Sequence, residues 1–187
     1  MENYKTALLV MDMQMGILGR YPHSTELTEK VANAIESARK KDITVIFVRL
    51  GFRKGFPEIS TNNKMFAAIK DYVNNADLEP FMQISPNLGM LDSDIIVDKK
   101  RVSAFSGNDL EMILRSKNIS HLVLTGIATS GIVLSTVREA ADKDFQLTVL
   151  ADGCADSDPE MHQFLTEKLF PKQALVLSID EWTYQIS

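Results

Sequence analysis

The chain has 187 residues, near the ~150 of one domain, and its 25 acidic against 20 basic side chains give a formal charge of −5, which argues against a nucleic-acid partner. An apolar fraction of 45% with 24% charged residues is that of a folded globular chain, and no apolar run approaches the ~18 residues that span a bilayer. One cysteine, Cys154, cannot form an internal disulfide, and with three histidines it leaves too few ligands for a closed zinc site.

The N-terminus, MENYKTALLVMDMQ, lacks a basic segment followed by a long apolar core, so a cytoplasmic location is expected. Thr6 to Met11 is an apolar run that predicts a buried strand ending at Asp12. Ser24 to Lys41 predicts a helix, with Leu27, Val31, Ile35 and Ala38 on one face and Ser24 or Thr25 placed to cap it. Ile43 to Leu50 is rich in β-branched residues and predicts the second strand. The Gly51–Ile59 stretch reads as a loop with Phe52 and Phe56 exposed. Its Arg53 and Lys54, with Arg49, would make one wall positive and suit an anionic ligand. Asn63 to Asn75 predicts a short helix, and Ala76 to Asp92, with two prolines and a glycine, predicts irregular chain.

Asp94 to Asp98 predicts a third strand, followed by Lys99, Lys100 and Arg101. Asn108 is placed to cap a helix running to Lys117 with Leu110, Ile113 and Leu114 inward. His121 to Thr125 predicts a strand, Gly126 to Gly131 a tight turn, and a helix follows to Lys143. Gln146 to Ala151 predicts a strand, Asp158-Pro159 opens a helix, and Gln173 to Ser178 predicts the last strand. Strands alternating with helices predict an α/β fold in three layers, with a mostly parallel sheet covered on both faces. In such a sheet ligands bind beyond the carboxyl ends of the strands, where strand order reverses.

Three places meet that condition: Asp12, Lys99 and the turn 126–132. An aspartate and a lysine meeting in one crevice suit acid–base chemistry. Asp12 capping a turn and Lys99 in a solvated basic trio is the alternative at this stage. The turn would aim backbone N–H groups into the crevice, as a developing anion requires, or it is simply a helix start rich in small residues. No GxGxxG or GxxxxGK[ST] marks a nucleotide site, and no GxSxG marks an esterase elbow. Ser130 is a possible nucleophile, but no histidine lies at a strand end to activate it. His23, His121 and His162 read as surface or structural.

Taken together, ALLVMDMQMGIL (7–18), VDKKRVSAFSGNDLEMILRSKNISHLVLTGIATS (97–130) and VLADGCADSDPE (149–160) resemble the isochorismatase-like hydrolases, the cysteine hydrolase superfamily, from about residue 6 to about residue 178. The resemblance implies a single domain over 1–187 with a six-stranded, Rossmann-like sheet. It implies a site of an aspartate, a lysine and a cysteine. Asp12 matches the aspartate, and Lys99 matches the lysine of a K-x-R-x-S-A-F pattern that ends at Phe105. It further implies a cis peptide between Ile127 and Ala128, with an oxyanion hole on the N–H groups of Ala128 and Ile132. Thr129 and Gln14 would complete the substrate contacts.

The chain departs from this pattern at one position. The elbow pattern G-[VI]-x-T-x-x-C is here Gly126-Ile127-Ala128-Thr129-Ser130-Gly131-Ile132, so Ile132 stands where the nucleophilic cysteine is expected. Cys154 lies after the next strand and reads as a buried small hydrophobe. The histidines of the family's metal-binding amidases are absent after the second strand, so neither a metal nor another cofactor is expected. One branch of the family also lacks the cysteine and hydrolyses the vinyl ether of isochorismate with the aspartate as general acid. The resemblance thus points to a hydrolase of a small anionic metabolite that uses Asp12 and Lys99, forms a dimer or higher oligomer, and has no membrane or nucleic-acid partner. The alternative is a non-catalytic protein that binds a small molecule in the same pocket.

Overall fold

Six strands form one sheet in the order β3-β2-β1-β4-β5-β6, and every pairing is parallel. The computed structural model describes residues 5–73 and 78–187. The strands are β1 (Lys5–Met11), β2 (Thr44–Leu50), β3 (Ile95–Lys99), β4 (Ile119–Ile127), β5 (Gln146–Ala155) and β6 (Leu175–Leu177). Among the described residues there are eight α-helices: α1 (Met15–Leu18), α2 (Ser24–Lys40), α3 (Lys64–Val73), α4 (Leu78–Met82), α5 (Leu110–Ser116), α6 (Leu134–Asp142), α7 (Pro159–Phe164) and α8 (Ile179–Ile186). None is long and apolar enough to cross a membrane.

The layers follow from strand alternation. Ala7, Leu9 and Met11 of β1 face one way, into a core shared with Leu110 and Leu114 of α5 and Val137 and Ala140 of α6. Leu8 and Val10 face the other way, against Val31, Ala34 and Ile35 of α2 and Trp182 of α8. Burial on both faces is why these strands read as unbroken apolar runs. The chain lays down β1 to β3 toward one edge and β4 to β6 toward the other. Strand order therefore reverses between β1 and β4, and the crevice lies beyond Met11 and Ile127.

Several expectations are corrected. β4 does not stop at Thr125. Gly126 belongs to the strand, where it pairs with Met11, and a Cβ there would sit 2.8 Å from the Met11 carbonyl oxygen. The turn therefore starts after Ile127. β5 runs on to Ala155, where Cys154 and Ala155 pair with Gly126 and Ile127 across a register shift. The stretch expected to be irregular holds α4 and a single 3-10 turn at Pro86–Leu88. Pro80 lies in the first turn of α4, where a missing N–H breaks no helical bond. Residues 76 and 77 of that stretch, and 74 and 75 of the expected helix before it, lie outside the described residues.

Helix α2 begins at Ser24, but neither Ser24 nor Thr25 caps it. His23 precedes it in the left-handed region, with no side-chain cap. Asn108 does accept the Leu110 N–H at 2.9 Å. Helix α8 was not anticipated, although Ser178 and Glu181 form a reciprocal capping box at its start. That cap shortens β6 to three residues.

Phe52 and Phe56 are buried, not exposed. They share a third buried cluster with Phe66 and Phe81, in which the Phe52 ring lies 5.8 Å from that of Phe56 and 6.1 Å from that of Phe66. Met65 does remain exposed.

Candidate active site

The end of β1 sets the site. Asp12 still donates its N–H to Val48 O at 2.8 Å, then turns with φ at 57°. Aspartate and asparagine tolerate this left-handed region better than other side chains with a Cβ. Lys99 closes β3, two strands away, opposite Leu50 of β2. At ~4.8 Å per strand the gap is about 10 Å, and the lysine stem crosses it over the end of β2. Its Nζ lies 2.9 Å from Asp12 Oδ2 and donates to Arg101 O at 2.9 Å. Both residues are buried, Lys99 2% and Asp12 6% exposed, so neither belongs to a solvated trio.

The pair is incomplete on one side. Asp12 Oδ1 is buried and has no hydrogen-bond partner. Burial drives the Asp12 carboxyl above the ordinary aspartate range, and the pull of Lys99 in the other direction does not cancel it. The group can therefore hold a proton more readily than a surface carboxyl.

Gln14 is fully buried, and its amide is spent on backbone. Oε1 accepts the Leu50 N–H at 2.7 Å, and Nε2 donates to Leu50 O at 3.0 Å and to Phe81 O at 3.4 Å. It joins the end of β2 to α4 behind Asp12, which is a holding role.

The elbow follows β4. Met11 pairs with Gly126, so Asp12 leaves the sheet beside Ile127. The Ile127–Ala128 peptide is cis, as the resemblance implied. Ala128 is extended, and Thr129–Val133 forms a wide π-type turn that leads into α6. Ala128 O accepts the N–H groups of Gly131 at 3.1 Å and Val133 at 3.3 Å. Ile132 is 2% exposed and belongs to the same buried cluster as Met11, Ala104 and Phe105. Thr129 has no exposure at all.

Two residues that sequence reasoning passed over meet this elbow. Asp156 Oδ2 accepts the Ser130 N–H at 2.7 Å, and His162 Nδ1 lies 2.8 Å from Thr129 Oγ1. The available signal was topological: α7 starts just after β5, so its first turn sits at the same edge of the sheet as the elbow. His121 is structural, held between Thr6 and Thr148 on neighbouring strands. Cys154 is buried, and its thiol is pushed up to about 12.

The positive wall is not present in the form expected. Arg49 Nε pairs with Asp98 Oδ1 at 2.6 Å, and Arg53 Nη1 with Glu58 Oε1 at 2.5 Å. Each guanidinium already has its carboxylate. Among the described residues no three His, Cys, Asp or Glu side chains converge as a metal site.

Residues 6–181 match the isochorismatase domain. The chain is 33% identical over 184 residues to the isochorismatase family protein YecD of Escherichia coli O157:H7, covering 94% of this chain and 93% of that one. It is 29% identical over 185 residues to the ureidoacrylate amidohydrolase RutB of Stutzerimonas stutzeri (strain A1501), covering 87% and 75%. Among solved structures, an isochorismatase family protein from Burkholderia thailandensis superimposes with a TM-score of 0.84 at 26% identity, over 97% and 95% of the two chains. The sheet order, the strand-end pair and a match over nearly the whole chain agree: this chain belongs to the isochorismatase family.

Proposed function

We propose that the chain is a hydrolase of a small molecule in which Asp12 is the general acid–base, Lys99 its electrostatic partner and water the nucleophile. The observation that carries this reading is the buried Asp12 carboxyl, paired through one oxygen and open at the other. Ile132 offers no nucleophile at the position where the resemblance puts a thiol, so no covalent acyl intermediate forms there.

The proton balance is simple. Asp12 in its carboxyl form gives a proton to the substrate, at an enol carbon or a leaving heteroatom. Lys99 stabilises the carboxylate left behind. Water adds to the activated carbon and loses a proton to Asp12, which resets the acid. The adduct then collapses with cleavage of its C–O or C–N bond, an enol-ether oxygen leaving with the adduct's hydroxyl proton and a nitrogen leaving with the proton Asp12 gave it. The proposed roles of the Ala128 and Ile132 N–H groups are to hold the oxygen on which charge develops. The substrate class is a small anion of the ureido, N-carbamoyl or enol-ether type. With Arg49 and Arg53 already paired, Lys99, freed of a charged partner when Asp12 is protonated, and these amides are proposed to receive the anion, and exposed Lys54 is the remaining cation of the expected wall. A dimer or higher oligomer is part of the proposal, and sedimentation at working concentration decides it.

Burial of Ile132 in the core favours a second reading, a protein that binds such a molecule without turning it over. A turnover screen separates the two. Purified protein, wild type and Asp12→Asn, is offered ureidoacrylate, N-carbamoyl amino acids, isochorismate, nicotinamide and simple amides. Turnover that disappears in Asp12→Asn supports the hydrolase. Binding of a panel member by calorimetry with no turnover supports the second reading and overturns the first.

A further inference from the structure

Two side chains beyond β5 reach across to the elbow, and the reaction above uses neither. Asp156 accepts the Ser130 N–H through Oδ2 at 2.7 Å, and its Oδ1 accepts the Asp158 N–H at 3.3 Å. Asp158 in turn caps α7 through the N–H groups of Glu160 and Met161. The start of α7 and the elbow are thereby tied through one carboxylate. Four residues past Asp158, half-buried His162 brings Nδ1 to 2.8 Å from Thr129 Oγ1. The two residues that follow Ala128 are thus each held by a side chain from outside the elbow.

These two bonds differ in kind. A carboxylate only accepts, so the Asp156 bond has one polarity. A hydroxyl and an imidazole nitrogen can bond either way round. With neutral imidazole carrying its proton on Nε2, Thr129 donates to Nδ1 and keeps its lone pairs for the elbow. With imidazolium, Nδ1 donates, and the threonine proton must find another acceptor at a hydroxyl that solvent does not reach. Thr129 is fully buried, so solvent cannot supply one.

We propose that His162 is a positioning residue: as neutral imidazole it accepts from the Thr129 hydroxyl and holds the Ala128–Val133 turn in its working arrangement beside Asp12. The inference rests on the reading that this elbow is part of a catalytic site. The surroundings of His162 agree with it. It borders a cavity of about 370 Å³. Tyr21, His23, Glu26 and Lys30 face it there from the α1–α2 side, and Asp152 and Cys154 from β5. Burial lowers the His162 proton affinity more than Asp156 raises it, so the neutral form prevails at pH 7.5. Glu26 and Lys30 already pair with each other at 3.2 Å, and Asp152 Oδ1 accepts the Ile179 N–H at 2.8 Å.

The test has two arms. Long-range proton–nitrogen spectra of the labelled full chain at pH 7.5 are expected to show His162 with a bare Nδ1 and a protonated Nε2. In Thr129→Val that single tautomer is expected to give way to a mixture. A protonated Nδ1 at pH 7.5, or no change in Thr129→Val, overturns the proposal whether or not a substrate is known. The second arm uses any compound the turnover screen identifies. His162→Phe is expected to lower kcat about tenfold, with KM changed less than about twofold. His162→Asn, whose amide can take the place of Nδ1, is expected to recover most of kcat and to lose the acid limb of the pH profile. Equal effects on kcat and KM, or an acid limb that survives in His162→Asn, overturn it. A screen without turnover strikes the proposed hydrolase and leaves the tautomer result to decide the bond.

Discussion

Replacing Lys99 by methionine keeps most of the stem and removes the ammonium 2.9 Å from Asp12 Oδ2. The carboxylate then loses its charged partner, and Oδ1 has no hydrogen bond already. Staying charged in that place costs several kcal/mol, so the alternative is to take up a proton. Protonating at pH 7 a group whose ordinary value is 3.8 costs about 1.36 kcal/mol per pH unit, or about 4 kcal/mol. That is a ceiling, because the cheaper of the two responses prevails. At pH 5 the same ceiling is about 1.6 kcal/mol.

The sign follows from the raised folded-state value. Asp12's contribution is full below 3.8 and is lost as pH rises through the folded value. The wild type already bears part of this cost, so the measured difference lies below the ceiling. Urea unfolding is expected to show Lys99→Met destabilised by about 2–4 kcal/mol at pH 7 and by under about 2 kcal/mol at pH 5. A pH-independent part of about 1 kcal/mol remains from the Arg101 carbonyl, which loses its donor. Equal destabilisation at the two pH values would refute the argument, as would a Lys99→Met protein more stable than wild type at pH 7.

Three further outcomes are expected. Turnover of any substrate should fall as pH rises through the raised Asp12 value, giving the alkaline limb of a kcat profile whose acid limb belongs to His162. Cys154, buried with its thiol pushed up to about 12, should react with a thiol reagent at pH 8 about a thousandfold more slowly in the native protein than in urea. Gly126→Ala should cost about 1–3 kcal/mol in urea unfolding, because its Cβ would lie 2.8 Å from Met11 O and 2.9 Å from Met11 Cβ.

The strands were legible because parallel strands buried on both faces leave continuous apolar runs, as in Ala7–Met11 and Val45–Val48. What was not legible depended on register. Arg49 and Asp98 are direct partners in the β2–β3 ladder, a neutralisation that no reading along one segment reveals. Gly126 has the composition of a turn but serves a close approach between two strands, which appears only when β1 lies beside β4. Phe52 and Phe56 sit in a loop without periodicity, so their burial against Phe66 left no pattern. The capping box of α8 was the exception: its signal, Ser178 with Glu181, was in the chain and was passed over. At the site, the residue types at the strand ends suggested Asp12 and Lys99. That they meet across β2 required the sheet order β3-β2-β1.

The stability of the pair also bears on what the pair is for. A buried ion pair rarely stabilises a fold more than uncharged residues of similar size, because desolvation offsets most of the attraction. The variant that tests this is Asp12→Asn with Lys99→Met, since asparagine also accepts a φ of 57° where a hydrocarbon side chain would be strained. Its carboxamide can neither protonate nor repel, so the pH-dependent loss of Lys99→Met should vanish. If the double variant is as stable as wild type at pH 7, the folded chain gains nothing from holding an aspartate and a lysine in a dry crevice. The reason for them then lies in the chemistry of a proton held at Asp12 and stabilised in its absence by Lys99. If the double variant is instead less stable than either single variant, the pair is part of what holds β1 to β3, and the case for an acid at Asp12 loses its physical basis.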